Sequence, residues 1–131
     1  FIAEYITEIR DFANALDTDL NFIKDATLDA ATEIEAITQF IIEQAAENVE
    51  FPNSTAVDYL SAVGLLSFSY MFAKIAAAAK DKSGDFYQNK LALAQYFVDR
   101  ILPELDSRLA KIKSGSDLIM NFSEDYFTNQ A

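Results

Sequence analysis

The chain contains no cysteine and no histidine. The first absence removes disulfides, a thiolate nucleophile and thiolate metal sites, and leaves the cytoplasm as the default compartment. The second removes the usual general base near neutral pH and the commonest metal ligand. Glycine occurs 3 times and proline 2 times, which argues against a turn-rich sheet protein and against low-complexity disorder. Gly64, Gly84 and Gly115 are isolated and none follows a strand, so no phosphate-cradling loop is encoded. Positive charge is also scarce: 10 basic residues against 21 acidic ones give a formal charge of −11, a poor match for nucleic acid or an anionic membrane surface.

What remains is a chain that is 51 % hydrophobic and 131 residues long, enough for one domain over residues 1–131 with one core. The acidic excess is concentrated in residues 1–50, which hold 12 acidic and 2 basic groups. This reads as a solvated face on the first helices, with an acidic docking face for a basic partner as the sharper alternative. Residue 1 is Phe, and the first turn is already in helical register, so the chain is expected to be a processed product or a piece of something longer.

Ile2, Ile6, Ile9, Ala13, Leu16, Leu20 and Ile23 follow the spacing of one helix face, with Tyr5 and Phe12 widening the stripe. The pattern predicts a first helix reaching about Lys24, with a bend where Asp17, Thr18, Asp19 and Asn21 form helix weakly. Ala30, Ile34, Ile37, Ile41 and Ala45 predict a second helix from Thr27 to Glu47. The break NVEFPNST follows, and Thr55 with Asp58 three residues later reads as the cap of a third helix running to about Lys82. Ser83-Gly84-Asp85 is a turn, and a fourth helix carries Tyr87, Leu91, Ala94, Val98, Leu105, Leu109 and Ile112, with a kink expected at Pro103. Asp117 to Phe122 offers a short helical stub. The expected fold is all-α, an up-and-down four-helix bundle with that stub at its C-terminus.

Tyr59 to Ala79 holds one charge, Lys74, and approaches the length of about 20 residues that a membrane span requires. Ser61, Ser67, Ser69, Lys74, the terminal alanines and the lack of a basic flank or any tryptophan favour a buried helix over a membrane span. Its apolar residues point nearly all round, whereas a helix in an isolated bundle keeps a wet side. Either three neighbours crowd against it, or part of its face meets another surface, and Leu65, Phe68, Phe72 and Ile75 are the candidate interface. Lys74 reads as snorkelling to the rim or pairing with Asp99 or Asp106. Ser67 and Ser69 read as hydroxyls bonded one turn back, and the acidic pairs Glu4/Glu8, Asp25/Asp29, Glu43/Glu47 and Asp81/Asp85 as solvated charge. No catalytic, cofactor-binding or metal-ligating residue is assigned.

Tyr59-Leu60 with Gly64, then Phe86, Tyr87, Lys90, Leu91, Arg100, Leu102, Pro103, Gly115 and Met120, resembles the C-terminal helical extension of one branch of the acyl-CoA dehydrogenase family. The likeness covers residues 53–127, with residues 1–50 as the helices that precede the extension. It implies an intact FAD-dependent acyl-CoA oxidoreductase whose catalytic glutamate, flavin site and acyl pocket lie upstream, so that FAD and acyl-CoA concern the parent and not this chain. It also implies upstream domains of the same protein, and a homo-oligomer, as partners; nucleic acid and a membrane are not expected. The rival expectation is a stand-alone helical interaction or scaffolding bundle.

Overall fold

The computed structural model describes residues 1–114, so the expected stub at Asp117 to Phe122 and the end of the fourth helix at Ser114-Gly115-Ser116 lie outside or at the edge of the described residues. Among the described residues every regular element is helical: α1 (Ile2–Asn14), a 3-10 turn (Thr18–Leu20), α2 (Asn21–Glu47), α3 (Phe51–Ala79), α4 (Asp85–Tyr96), a π-helical segment (Phe97–Ile101) and α5 (Glu104–Lys113).

The first predicted helix is in fact two elements. Asp17 is extended, at φ −70° and ψ 159°, and α2 begins at Asn21, six residues before Thr27. The weak formers Asp17, Thr18 and Asp19 break the helix instead of bending it, and Lys80 at the end of α3 holds the break by pairing with both Asp17 and Asp19. Its hydrogen bond to Lys80 holds the Asp17 carboxyl below the usual carboxylate range, and the same contact raises the Lys80 ammonium. The hydrophobic stripe survives the break because Leu20 and Ile23 pack on Ala73, Ala76 and Ala94, continuing the core begun by Ile6, Ile9 and Ala13.

The third helix starts at Phe51, four residues before the expected Thr55 cap. Burial of Phe51, edge-on to Phe40 at 5.8 Å between ring centres, pins the start, and Pro52 is tolerated because first-turn amides have no intrahelical partner anyway. Thr55 is buried one turn inside, donating to the Phe51 carbonyl at 3.1 Å, and Asp58 accepts from Arg108 on α5 instead of the helix amides. The helix ends at Ala79 and the chain turns through Gly84, whose φ of 111° suits glycine alone.

The kink expected at Pro103 is a widened turn. Leu102 N–H donates to the Phe97 carbonyl at 2.8 Å, a five-residue bond that absorbs the amide missing from Pro103 before α5 restarts.

Antiparallel α2 and α3 form the central pair. Thr27 on α2 and Ser69 on α3, both fully buried, share a hydrogen bond of 2.6 Å, and Thr38 meets Tyr59 at 2.7 Å farther along. Ala30, Ala31, Ala62, Ala73 and Ala76 allow the two backbones to approach closely. α1 lies on one side of this pair, fixed to α2 by the two-pronged Arg10–Glu35 contact, and the α4–α5 arm lies on the other, held to α3 by Phe72 stacked on Phe97 at 4.9 Å.

Removing either hydroxyl of the Thr27–Ser69 pair leaves the other buried without its partner. Thr27→Val and Ser69→Ala are each expected to lower unfolding stability by about 1–2 kcal/mol in urea titration, and the double variant to lose clearly less than their sum. Additive losses would show that the hydroxyls act independently.

Candidate docking surface

Among the described residues, α3 is contacted on three sides. Toward α1, Ser67 accepts from Tyr5 Oη at 2.8 Å and Tyr70 meets Phe12 edge-on at 5.6 Å. Toward α2 lie Ser69 and Tyr59, and toward the α4–α5 arm lie Asp58, Leu65 and Phe72. The fourth side carries Val57, Leu60, Gly64, Phe68, Met71 and Ile75, spaced by three and four residues and therefore in one row. Val57 is 73 % exposed, Leu60 70 %, Phe68 51 % and Met71 44 %.

Three shallow grooves flank this row. The first, almost wholly apolar, lies between Ile41 and Ile42 of α2 and Pro52, Ala56 and Leu60 of α3. The second runs along Ser61, Gly64 and Phe68 to Glu104 and Arg108 of α5, and the third joins Ile75 and Ala78 to Phe86 and Tyr87 of α4. At Gly64 an added Cβ would meet nothing within 4 Å, so the row is open at its centre.

The structure divides the four residues named as a candidate interface. Leu65 is buried and Phe72 is stacked on Phe97, so both already serve the core of this chain. Phe68 is exposed, and Ile75 is half-buried on the same row. Val57, Leu60 and Met71 complete the surface; their three-and-four spacing from Phe68 is the signal that extends it.

Lys74 pairs with neither Asp99 nor Asp106. Its ammonium lies over the Tyr70 ring at 4.1 Å and near Phe12 at 6.0 Å, so ring faces on α1 and α3 hold the one charge in the apolar segment. Ser67 does bond one turn back, to the Val63 carbonyl at 3.0 Å, whereas Ser69 bonds across to Thr27. α3 is also the one helix among the described residues long and apolar enough to cross a membrane, with 44 % of its most apolar window buried within the chain.

Among the described residues no group of three carboxylates is arranged to hold a metal ion, and no serine stands beside a base. What the surface can do is exclude water against another apolar surface.

A family model described as "Acetyl-CoA dehydrogenase C-terminal like" matches residues 5–123. The chain belongs to this family. No curated protein and no solved structure matches it. The family match begins in the first turns of α1 and runs past α5, so the whole outer row of α3 lies within it. Several positions that carry the sequence likeness lie around the start of α4. Phe86 and Tyr87 meet edge-on at 5.2 Å, Lys90 covers the Phe86 ring and Lys82 the Tyr87 ring. Leu102 is buried at the π segment, Pro103 opens α5 and Arg100 is exposed; Gly115 and Met120 lie outside the described residues.

The division into core and surface is testable by substitution. Phe68→Glu with Met71→Lys is expected to change unfolding stability by no more than about 0.5 kcal/mol while reducing binding of a hydrophobic dye, whereas Phe72→Ala should cost about 3–5 kcal/mol. Equal losses from both would mean that the outer row is core.

Proposed function

We propose that residues 1–131 are one non-catalytic C-terminal helical domain of a FAD-dependent acyl-CoA dehydrogenase, located in the cytoplasm. In this reading the outer row of α3 packs against the flavin-binding body or the partner subunit of a homo-oligomer. The observation that carries it is the exposed row itself: Val57, Leu60, Phe68 and Met71 are large, apolar and uncovered in a family whose name places this domain at the end of a larger enzyme. Phe68 and Ile75 are then the interface members of the four residues first named, with Leu65 and Phe72 supporting them from beneath.

The described residues of this chain do not fit the flavin. Among the described residues the grooves are shallow, no glycine-rich turn opens a helix, and the two cavities beside α2 are lined by Asp29, Glu33 and Asp106 against the one cation Lys113, a net negative lining that repels a pyrophosphate. In this reading FAD and acyl-CoA are bound by the upstream domains and not by this chain. This chain's part is to exclude water at the interface and fix the subunits relative to one another.

In the intact protein, Phe68→Asp with Met71→Asp is expected to shift the subunit assembly toward smaller species in sedimentation while the body keeps its flavin absorbance. An unchanged assembly would argue against this role. A flavin spectrum from the isolated 131-residue chain after incubation with FAD would contradict the division of labour.

A further inference from the structure

A second surface, away from the outer row of α3, lies between α2 and the α4–α5 arm. The arm rests mainly on α3, so it diverges from α2 and leaves a trough. Two cavities of about 250 and 480 Å³ share Glu33 and Asp106 and so lie end to end along α2. Its α2 wall runs from Ala26 to Phe40, ~21 Å at 1.5 Å per residue, the length of four helical turns. The lining is mostly apolar, with Ala30, Ile37, Leu105 and Leu109 at its base and the small residues Ala36 and Ala110 at its lips.

The charged lining is three carboxylates against one cation. Asp29 and Glu33 stand on α2 and Asp106 on α5, and none of the three carboxylates has a hydrogen bond or an ion pair among the described residues. The nearest cation is Lys113, at one end. Partial burial, with repulsion from Asp106 and Asp29, raises the Glu33 carboxyl above its usual range. An apolar trough whose waist is crossed by unpaired carboxylates complements a ligand with an apolar stripe and positive flanks.

We propose that this trough docks a basic amphipathic helix of a separate polypeptide, its apolar stripe along Ile37, Leu105 and Leu109 and its lysine or arginine side chains between Glu33 and Asp106. The chain's own remaining residues do not complement it, since 115–131 contain Asp117, Glu124 and Asp125 and no basic residue. A second copy is disfavoured by the formal charge of −11 on each. The phosphates of a nucleotide would meet the same carboxylates. The proposal is independent of what covers α3.

The test uses a fluorescein-labelled helical peptide with leucine at i, i+3, i+4 and i+7 and lysine elsewhere, titrated with the 131-residue chain and read by anisotropy. A matched peptide with glutamate for lysine is the control. The lysine peptide is expected to bind and the glutamate peptide not to. Asp29→Asn with Glu33→Gln and Asp106→Asn should weaken binding by about tenfold. Ala110→Trp, which fills the trough without changing charge, should weaken it as much. The same charge change placed on α1, Glu4→Gln with Glu8→Gln and Asp11→Asn, should leave affinity within about twofold. Absence of binding, an equal loss from the α1 substitutions, or no effect of Ala110→Trp would overturn the proposal.

Discussion

The constraint on which the structure depends is that α3, 29 residues long, carries almost no polar face of its own. A helix that is apolar all round must be covered from every direction, because each exposed large side chain forgoes about 1.5–3 kcal/mol of burial. The other described residues supply three of those covers. α2 comes closest, through its small residues and the Thr27–Ser69 hydroxyl pair, which satisfies two buried polar groups with each other. α1 covers a second side with the rings of Tyr5 and Phe12, and the α4–α5 arm covers a third with Phe97.

The chain breaks serve the same end. Lys80 holds the corner between α1 and α2 by its contacts with Asp17 and Asp19, so that α1 returns along the central pair. The π turn at Phe97–Ile101 lets the fourth stretch bend at Pro103 and stay on α3, which is why it leaves α2 and opens the acidic trough. Both surfaces, the apolar row on α3 and the trough beside α2, thus follow from how one helix is covered.

The four stretches of helix were legible in the sequence because α1, α2 and α5 each carry a polar face that fixes their direction. Leu20 and Ile23 continue the spacing of Ile6 and Ile9 across the break at Asp17, so the sequence alone suggests a bend; the stripe records a shared core and says nothing of whether one helix supplies it. The start of α3 at Phe51 was hidden behind the polar Asn53, Ser54 and Thr55, which outweighed the burial of one aromatic ring. Surplus apolar surface on α3 was legible from its composition, but the residues that form it were only half so. A helix without a polar face has no preferred rotation, and contacts far apart in sequence, Ser69 with Thr27 and Phe72 with Phe97, decide that Phe68 points outward and Leu65 inward.

The central claim is that the outer row of α3 is covered in the intact protein. Because this chain has no cysteine, Phe68→Cys introduces its single thiol, and the alkylation rate at that position can be followed by mass spectrometry in the isolated chain and in the full-length protein. The account predicts rapid modification in the isolated chain and strong protection in the intact protein; equal rates in the two would contradict it.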